Sequence, residues 1–284
     1  MIFDLNESIY ENDILKEKSR DAKENIQIGN FQKALELFEE ILNELKDHPY
    51  TLRNIGLTYL LMEDYKSAIQ FLEKSLKLDS NLTNIKFNLA QALSHNGEHE
   101  KSNDLLIAEL KNNKKSEAVL YLLAENYLKL NQHNKSINYF EQLVEINPNH
   151  SRGLYYLSLL YGNLGSIEKA EKYVKKSLNL NSNDADALFA LGKIYSLKKK
   201  FKEAIEIFEQ LNNNYPNNYE IIFHLATALG NSGNIPKAIK LFEIVLKLKP
   251  DFYDAWKFLG ICYSKNGNKQ KATECESKLK LLDE

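Results

Sequence analysis

Two histidines four residues apart, His95 and His99, have the spacing that places two imidazoles on one face of a helix, where they can hold a metal ion. Two cysteines, Cys262 and Cys275, are the only thiols, and a thiolate is a strong nucleophile and a good ligand. Neither pair carries the chemistry far. Gly97 lies between the histidines, so they flank a turn instead of sharing a helix. His99 and His133 also stand in a 34-residue register with Phe31, Tyr65, Ile167, Phe201 and Ile235, which reads as packing. Both cysteines fall in apolar registers near the end of the chain. The sequence contains no G-x-S-x-G, H-E-x-x-H or C-x-x-C, and no Gly-rich phosphate loop following a strand. No catalytic residue, metal site or cofactor is expected, and the chain does not read as an enzyme.

The elements that would position any site come from periodicity. Residues spaced by 34 form columns of constant character. Ala22, Gly56, Ala90, Ala124, Ser158, Gly192, Ala226 and Gly260 form one small column. Ala34, Ala68, Ser102, Ser136, Ala170, Ala204, Ala238 and Ala272 form a second, twelve residues later. Two small columns on neighbouring helices predict a close approach of their axes, which explains a glycine inside a helix at Gly56 despite a cost of about 1 kcal/mol against alanine. Ile55, Leu89, Leu123, Leu157, Leu191, Leu225 and Leu259, with Tyr59, Tyr127, Tyr161, Tyr195 and Tyr263 four residues on, complete the i, i+3, i+4, i+7 stripe of a buried helical face. Phe38, Leu72, Leu106, Phe140, Val174, Phe208 and Phe242 mark the buried face of a second helix. Gly29, Gly97, Gly165, Gly233 and Gly267 fall in the turn between the two, and Asn30, Asp64, Ser166, Asn234 and Asn268 follow as N-cap candidates.

A 34-residue helix–turn–helix with W-x2-L-G-x2-Y, then A-x3-F, then P, resembles the tetratricopeptide repeat. The stretch "WKFLGICY", Trp256 to Tyr263, followed by Ala272, is the fullest copy, and Pro148, Pro216 and Pro250 occupy the proline position. Eight units starting at residues 15, 49, 83, 117, 151, 185, 219 and 253 account for 15–284, with 1–14 as an N-terminal extension. The resemblance implies an all-α, right-handed α-α superhelical solenoid whose first and last repeats act as caps. Lys18, Asp21 and Asn25 at one end, and Glu276 at the other, stand where inner repeats place apolar residues. Ile2, Leu5 and Ile9 share a helical stripe, and the extension is expected to fold onto the first repeat or the groove entrance.

In this family the first helices line a groove through repeat positions 2, 5, 6, 9, 12 and 13. Position 5 carries Arg53, Phe87, Tyr121, Tyr155, Phe189, Phe223 and Lys257, and position 6 adds Asn88, Tyr156 and His224. Lys193, Asn163 and Asn231 lie further along the same face, the two asparagines each following a glycine, Gly162 or Gly230. Lys16, Arg20, Lys23 and Arg53 make one end basic, while Asp186, Glu220 and Asp254 mark the other. The resemblance therefore implies a non-catalytic scaffold that binds a peptide or partner helix in its groove. The alternatives are a self-assembling module, whose groove accepts another copy or its own N-terminus, and a regulatory subunit of a separate enzyme chain. The carboxylate-clamp and asparagine-ladder patterns of better characterised grooves do not carry over, since Asn54 alone, or Asn54 with Asn88, matches them.

Bulk properties agree. Charged residues make up 27% and net charge is −2 with no like-charge block, which argues against a nucleic-acid partner. No apolar run approaches the ~20 residues a membrane helix needs, and the acidic start lacks the features of a signal peptide. Cytoplasmic location is the expectation.

Overall fold

The computed structural model describes residues 12–112 and 115–282. The described residues form sixteen α-helices. They divide into two compact units, Met1–Ile146 and Asn147–Glu284. The first holds α1 (Asp13–Gln27), α2 (Phe31–Glu44), α3 (Pro49–Leu61), α4 (Tyr65–Leu78), α5 (Ile85–His95), α6 (His99–Asn112), α7 (Glu117–Lys129) and α8 (His133–Ile146). The second holds α9 (Ser151–Asn163), α10 (Ile167–Leu180), α11 (Ala185–Leu197), α12 (Phe201–Asn214), α13 (Tyr219–Asn231), α14 (Ile235–Leu248), α15 (Tyr253–Lys265) and α16 (Lys269–Leu282). Each unit is a stack of antiparallel helix pairs, so the chain is an all-α helical repeat solenoid.

The two small columns face each other across every pair. Ala22, Ala90, Ala124 and Ala226 are fully buried, as are Ala34, Ala68, Ala170, Ala204 and Ala238. At Gly56 an added Cβ would lie 2.7 Å from Leu72 Cγ, and at Gly192 2.7 Å from Phe208 Cζ, so neither site has room for a side chain. Where the second column is serine, the hydroxyl crosses the gap. Ser102 Oγ donates to Ala90 O at 2.7 Å and Ser136 Oγ to Ala124 O at 2.8 Å, joining the two small columns directly. Phe38, Leu72, Leu106, Phe140, Val174, Phe208 and Phe242 are buried to 1% or less. Their equivalent in α16, Glu276, is exposed.

All eight intra-pair turns place one residue at positive φ. Five are glycines, with φ from 73° to 95°. The other turns with described geometry use Glu63, Asn131 and Lys199 at φ 61°, 56° and 57° in the same place. Of the five expected N-caps, Asp64 and Asn268 accept from backbone N–H groups (Ser67 N and Lys271 N, both 3.1 Å), whereas Asn30, Ser166 and Asn234 make no such bond. The caps the periodicity did not single out lie at the starts of first helices. Asp184 accepts from Ala187 N at 3.0 Å, and Asn218 accepts from Glu220 N and Ile221 N. In the third pair the first helix starts at Ile85, because Asn84 adopts φ 62° and breaks the helical run.

Candidate functional site

Within each unit successive first helices touch one another: α3 with α5 and α5 with α7, then α9 with α11, α11 with α13 and α13 with α15. Closer approach of first helices than of second helices puts the first helices on the inner side of each stack. The expected groove residues are on these helices, and the structure sorts them by accessibility.

In the second unit, Tyr155, Gly162 and Asn163 of α9 and Asp186, Phe189 and Lys193 of α11 line one open cavity of about 300 Å³, with Ser158, Leu159, Ala190 and Leu197 as its apolar and small lining. Asp186 and Phe189 also border a second cavity of about 370 Å³, completed by Asp184, Tyr215, Asn218 and Glu220. Phe189 and Asp186 thus border two adjoining recesses, with Lys193 in one and Glu220 in the other. The helix α9 runs through Gly162 to Asn163, so the glycine opens space without ending the helix. A Cβ at Gly162 would meet nothing closer than Ala170 Cβ at 3.9 Å.

The rings are held from behind. Phe189 packs edge-on against Phe208 (5.8 Å between centroids) and His224 (5.1 Å). His224 also stacks on Phe208 at 5.6 Å and meets Phe223 at 5.4 Å. Burial, with the Lys193 charge adding to it, pushes the His224 imidazole down to about 4, so it is neutral near pH 7. Tyr155 lies 5.6 Å from Tyr156, and burial together with the Asp186 charge pushes its phenol up to about 12. Its hydroxyl therefore remains a proton donor across the physiological range. Lys193 Nζ sits 5.8 Å from the Phe189 ring centre.

The remaining expected residues fall into two groups. Asn163, Asn231, Lys193 and Lys257 are exposed, and Tyr156, Phe87 and Tyr121 are half-buried. Arg53 (2% exposed), Asn88 (4%) and Phe223 (8%) are buried. Phe223 is a core ring, clustered with Phe242, Phe252 and Phe258, so the run of five accessible aromatics expected from the register is shortened at its far end. In the first unit, Phe87 and Tyr121 line a cavity of about 550 Å³ with Gln91, Ser94 and Asn126.

Asn126 was not singled out by sequence, yet it organises this wall. It is fully buried, donates to Ser102 Oγ and Asn103 Oδ1 (both 2.9 Å) and accepts from Ser94 Oγ at 2.5 Å. Its signal was an amide in a column that holds Glu24 and Thr58 in the first two repeats and Ala92, Leu160, Ile194, Ala228 and Cys262 in the others. His99 approaches Asn126 Oδ1 at 3.3 Å, and His95 stacks on Tyr65 at 5.2 Å. Among the described residues no group of three His, Cys, Asp or Glu side chains is placed to hold a metal ion. Burial pushes both thiols up, Cys275 to about 11, the reverse of what an activated nucleophile needs. No described helix is long and apolar enough to cross a membrane.

These features define a helical-repeat protein with a recessed, partly aromatic inner face. The chain belongs to the tetratricopeptide repeat family. A sequence profile for the tetratricopeptide repeat protein 21 C-terminal ARM domain matches residues 96–257, more than half of the chain, and a tetratricopeptide repeat profile matches 26–81. Human tetratricopeptide repeat protein 12 is 34% identical over 80 residues, 28% of this chain, which spans 11% of that protein's length. Among solved structures, a tetratricopeptide repeat protein from Parabacteroides merdae superposes with a TM-score of 0.62 at 19% identity, over 87% of this chain and 99% of that one. MamA from Desulfovibrio magneticus gives 0.56 at 19%, over 59% and 94%. YrrB, described as having an unusual peptide-binding site, gives 0.54 at 19%, over 62% and 91%. At these identities the likeness is one of fold.

Proposed function

We propose that the chain is a non-catalytic protein-interaction scaffold, and that the inner face of its second unit binds an extended peptide segment from a partner. The observation that carries this reading is the pair of recesses meeting at Phe189. An apolar side chain of a ligand fits between Tyr155 and Phe189, where rigid rings supply contact area at low entropic cost. The bare backbone at Gly162 admits a close main-chain approach, and Asn163 offers an amide beside it. Lys193 favours an acidic group on that side, and Asp184 with Glu220 favours a basic one on the other. That polarity sets the direction in which a peptide lies. The peptide-binding description of YrrB, a protein of like fold, is consistent with this use of the inner face.

The test is selection of peptides from a random display library on the full chain, followed by affinity measurement on Tyr155→Ala with Phe189→Ala. Each truncated ring is expected to cost about 2 kcal/mol, roughly thirtyfold in affinity, with a modest fall in melting temperature. Unchanged affinity accompanied by a large stability loss would assign both rings to the core and sink the proposal.

A further inference from the structure

A single proton fixes the polarity of one wall of the first unit. Ser102 Oγ donates to Ala90 O at 2.7 Å, and a carbonyl oxygen can only accept, so the one hydroxyl proton is committed. Toward Asn126, 2.9 Å away, Ser102 Oγ must then accept. That turns the Asn126 amide nitrogen toward Ser102 and Asn103, and its oxygen toward Ser94 and His99. Asn126 is fully buried, so a reversed amide would leave these groups mismatched away from water. The consequence passes outward to the cavity of about 550 Å³ lined by α5, the start of α6 and α7, which Ser94 and His99 share. Ser94 directs its proton to Asn126 Oδ1, and His99 Nδ1, 3.3 Å from the same oxygen, is the protonated ring nitrogen. What both side chains keep for a ligand is acceptor capacity: the Ser94 lone pairs and, in the neutral ring, His99 Nε2.

Glu125 adds a charge of the same sense. Tyr121 Oη donates to Glu125 Oε1 at 2.7 Å, and none of the ion pairs among the described residues includes Glu125. The half-buried rings of Phe87 and Tyr121 border the same cavity. We propose that this cavity receives an arginine side chain presented by a partner polypeptide. A guanidinium brings five N–H donors, a full positive charge and a flat surface that stacks on rings, which answers a carboxylate, two neutral acceptors and two aromatic faces at once. An ammonium group donates from one point and cannot serve acceptors spread along two helices equally well. An acidic group would have to lie against the Glu125 carboxylate. Lys129, the one lysine or arginine on the lining, stands one turn beyond Glu125 and is exposed, so it can swing into solvent as the arginine enters. His95, also on the lining, is stacked on Tyr65 at 5.2 Å. The proposal stands on the first unit alone and does not rest on the peptide site of the second.

The test titrates the full, isotope-labelled chain with capped tripeptides that carry arginine, citrulline or glutamate between two glycines, read by amide chemical shifts. Citrulline keeps the planar shape of arginine and loses its charge. The arginine peptide should bind saturably, with shifts in α5 and α7, about tenfold or more tighter than the citrulline peptide. Glu125→Gln, which keeps an acceptor for Tyr121, should weaken the arginine peptide about tenfold. Lys129→Gln removes a like charge and should bind it at least as tightly as the unaltered chain. Tyr155→Ala with Phe189→Ala, which disables the second unit's recess, should leave arginine binding unchanged. Equal affinity for arginine and citrulline, or tighter binding of glutamate, would overturn the proposal on the unaltered chain, whatever the variants do. So would weaker arginine binding by Lys129→Gln, full affinity in a Glu125→Gln chain of unchanged melting temperature, or no shift in α5 and α7 at tens of millimolar peptide. Shifts confined to α9 and α11 would place the arginine beside Asp186 and overturn it as well.

Discussion

Gly56→Ala separates two opposing effects of known size. In a helix interior alanine is more stable than glycine by about 1 kcal/mol, so propensity alone predicts a gain. The structure predicts that packing reverses it. The new methyl would stand 2.7 Å from Leu72 Cγ, 3.0 Å from Leu72 Cδ2 and 3.2 Å from Ala68 O. Carbon contacts are comfortable at about 3.5–4.0 Å, so Leu72 must retreat by about 1 Å. It is fully buried, with Ala68 beside it also fully buried, and it can move only by parting α3 from α4. Overpacking of this kind costs about 1–3 kcal/mol, which leaves a net effect between neutral and about 2 kcal/mol destabilising. Gly56→Leu, with more atoms to place, should reach the upper end of that cost or exceed it. Gly162→Ala is the internal control, because its Cβ meets only Ala170 Cβ at 3.9 Å and should keep the full propensity gain. Urea denaturation followed by far-UV circular dichroism, with amide exchange resolving α3 and α4, reads both. If Gly56→Ala were as stabilising as Gly162→Ala, the close approach of the two small columns would be refuted.

The other expectations are direct to check. Gly162→Ala, though stabilising, narrows the recess beside Tyr155 and should weaken library-selected peptides, as titration would show. His224 is neutral in the fold with its pKa lowered from 6.5 to about 4, so the unfolded chain binds the extra proton between those values. Its contribution is present above pH 6.5 and is lost as pH falls toward 4, by roughly 3 kcal/mol at most; His224→Phe should flatten that part of the stability–pH curve. Glu63→Gly and Lys199→Gly should each stabilise by about 0.5–1 kcal/mol, since both residues hold positive φ where glycine has no Cβ penalty. A loss of stability in chemical denaturation would contradict that assignment.

The fold was legible because a 34-residue period repeats the same contacts eight times, so each column of small or apolar residues could be read from its copies. Gly56 and Gly192 were legible for that reason, and the structure gives them the tight neighbours the columns required. The N-cap reading failed at Asn30, Ser166 and Asn234 because a residue can follow a left-handed turn without turning its side chain back on the helix. The site was legible only as a face. Register placed Tyr155, Phe189 and Phe223 alike, but burial depends on which rings the neighbouring pair brings, and Phe252 with Phe258 covers Phe223. Asn126 escaped notice because its column already varies, with Glu24 and Thr58 beside Ala92, Leu160, Ile194, Ala228 and Cys262, so one more polar residue did not stand out. The reading of residues 1–11 lies outside the described residues.

The ring cluster behind Phe189 has a consequence for how such a surface can change. Phe208 supports Phe189 from below, and Phe208 itself fits only because position 192 has no side chain. A larger or reshaped ring at Phe189 would therefore press on Phe208, while truncation only removes a contact from it. Tyr155 borders the same recess and packs on Tyr156 at 5.6 Å, and Asp186 and Lys193 are exposed. Ligand preference can drift through charge reversal at Asp186 or Lys193 at little structural cost, while Phe189 stays fixed as the hinge of recognition. Divergence among related arrays should accordingly run along the rim of the recess and spare its floor.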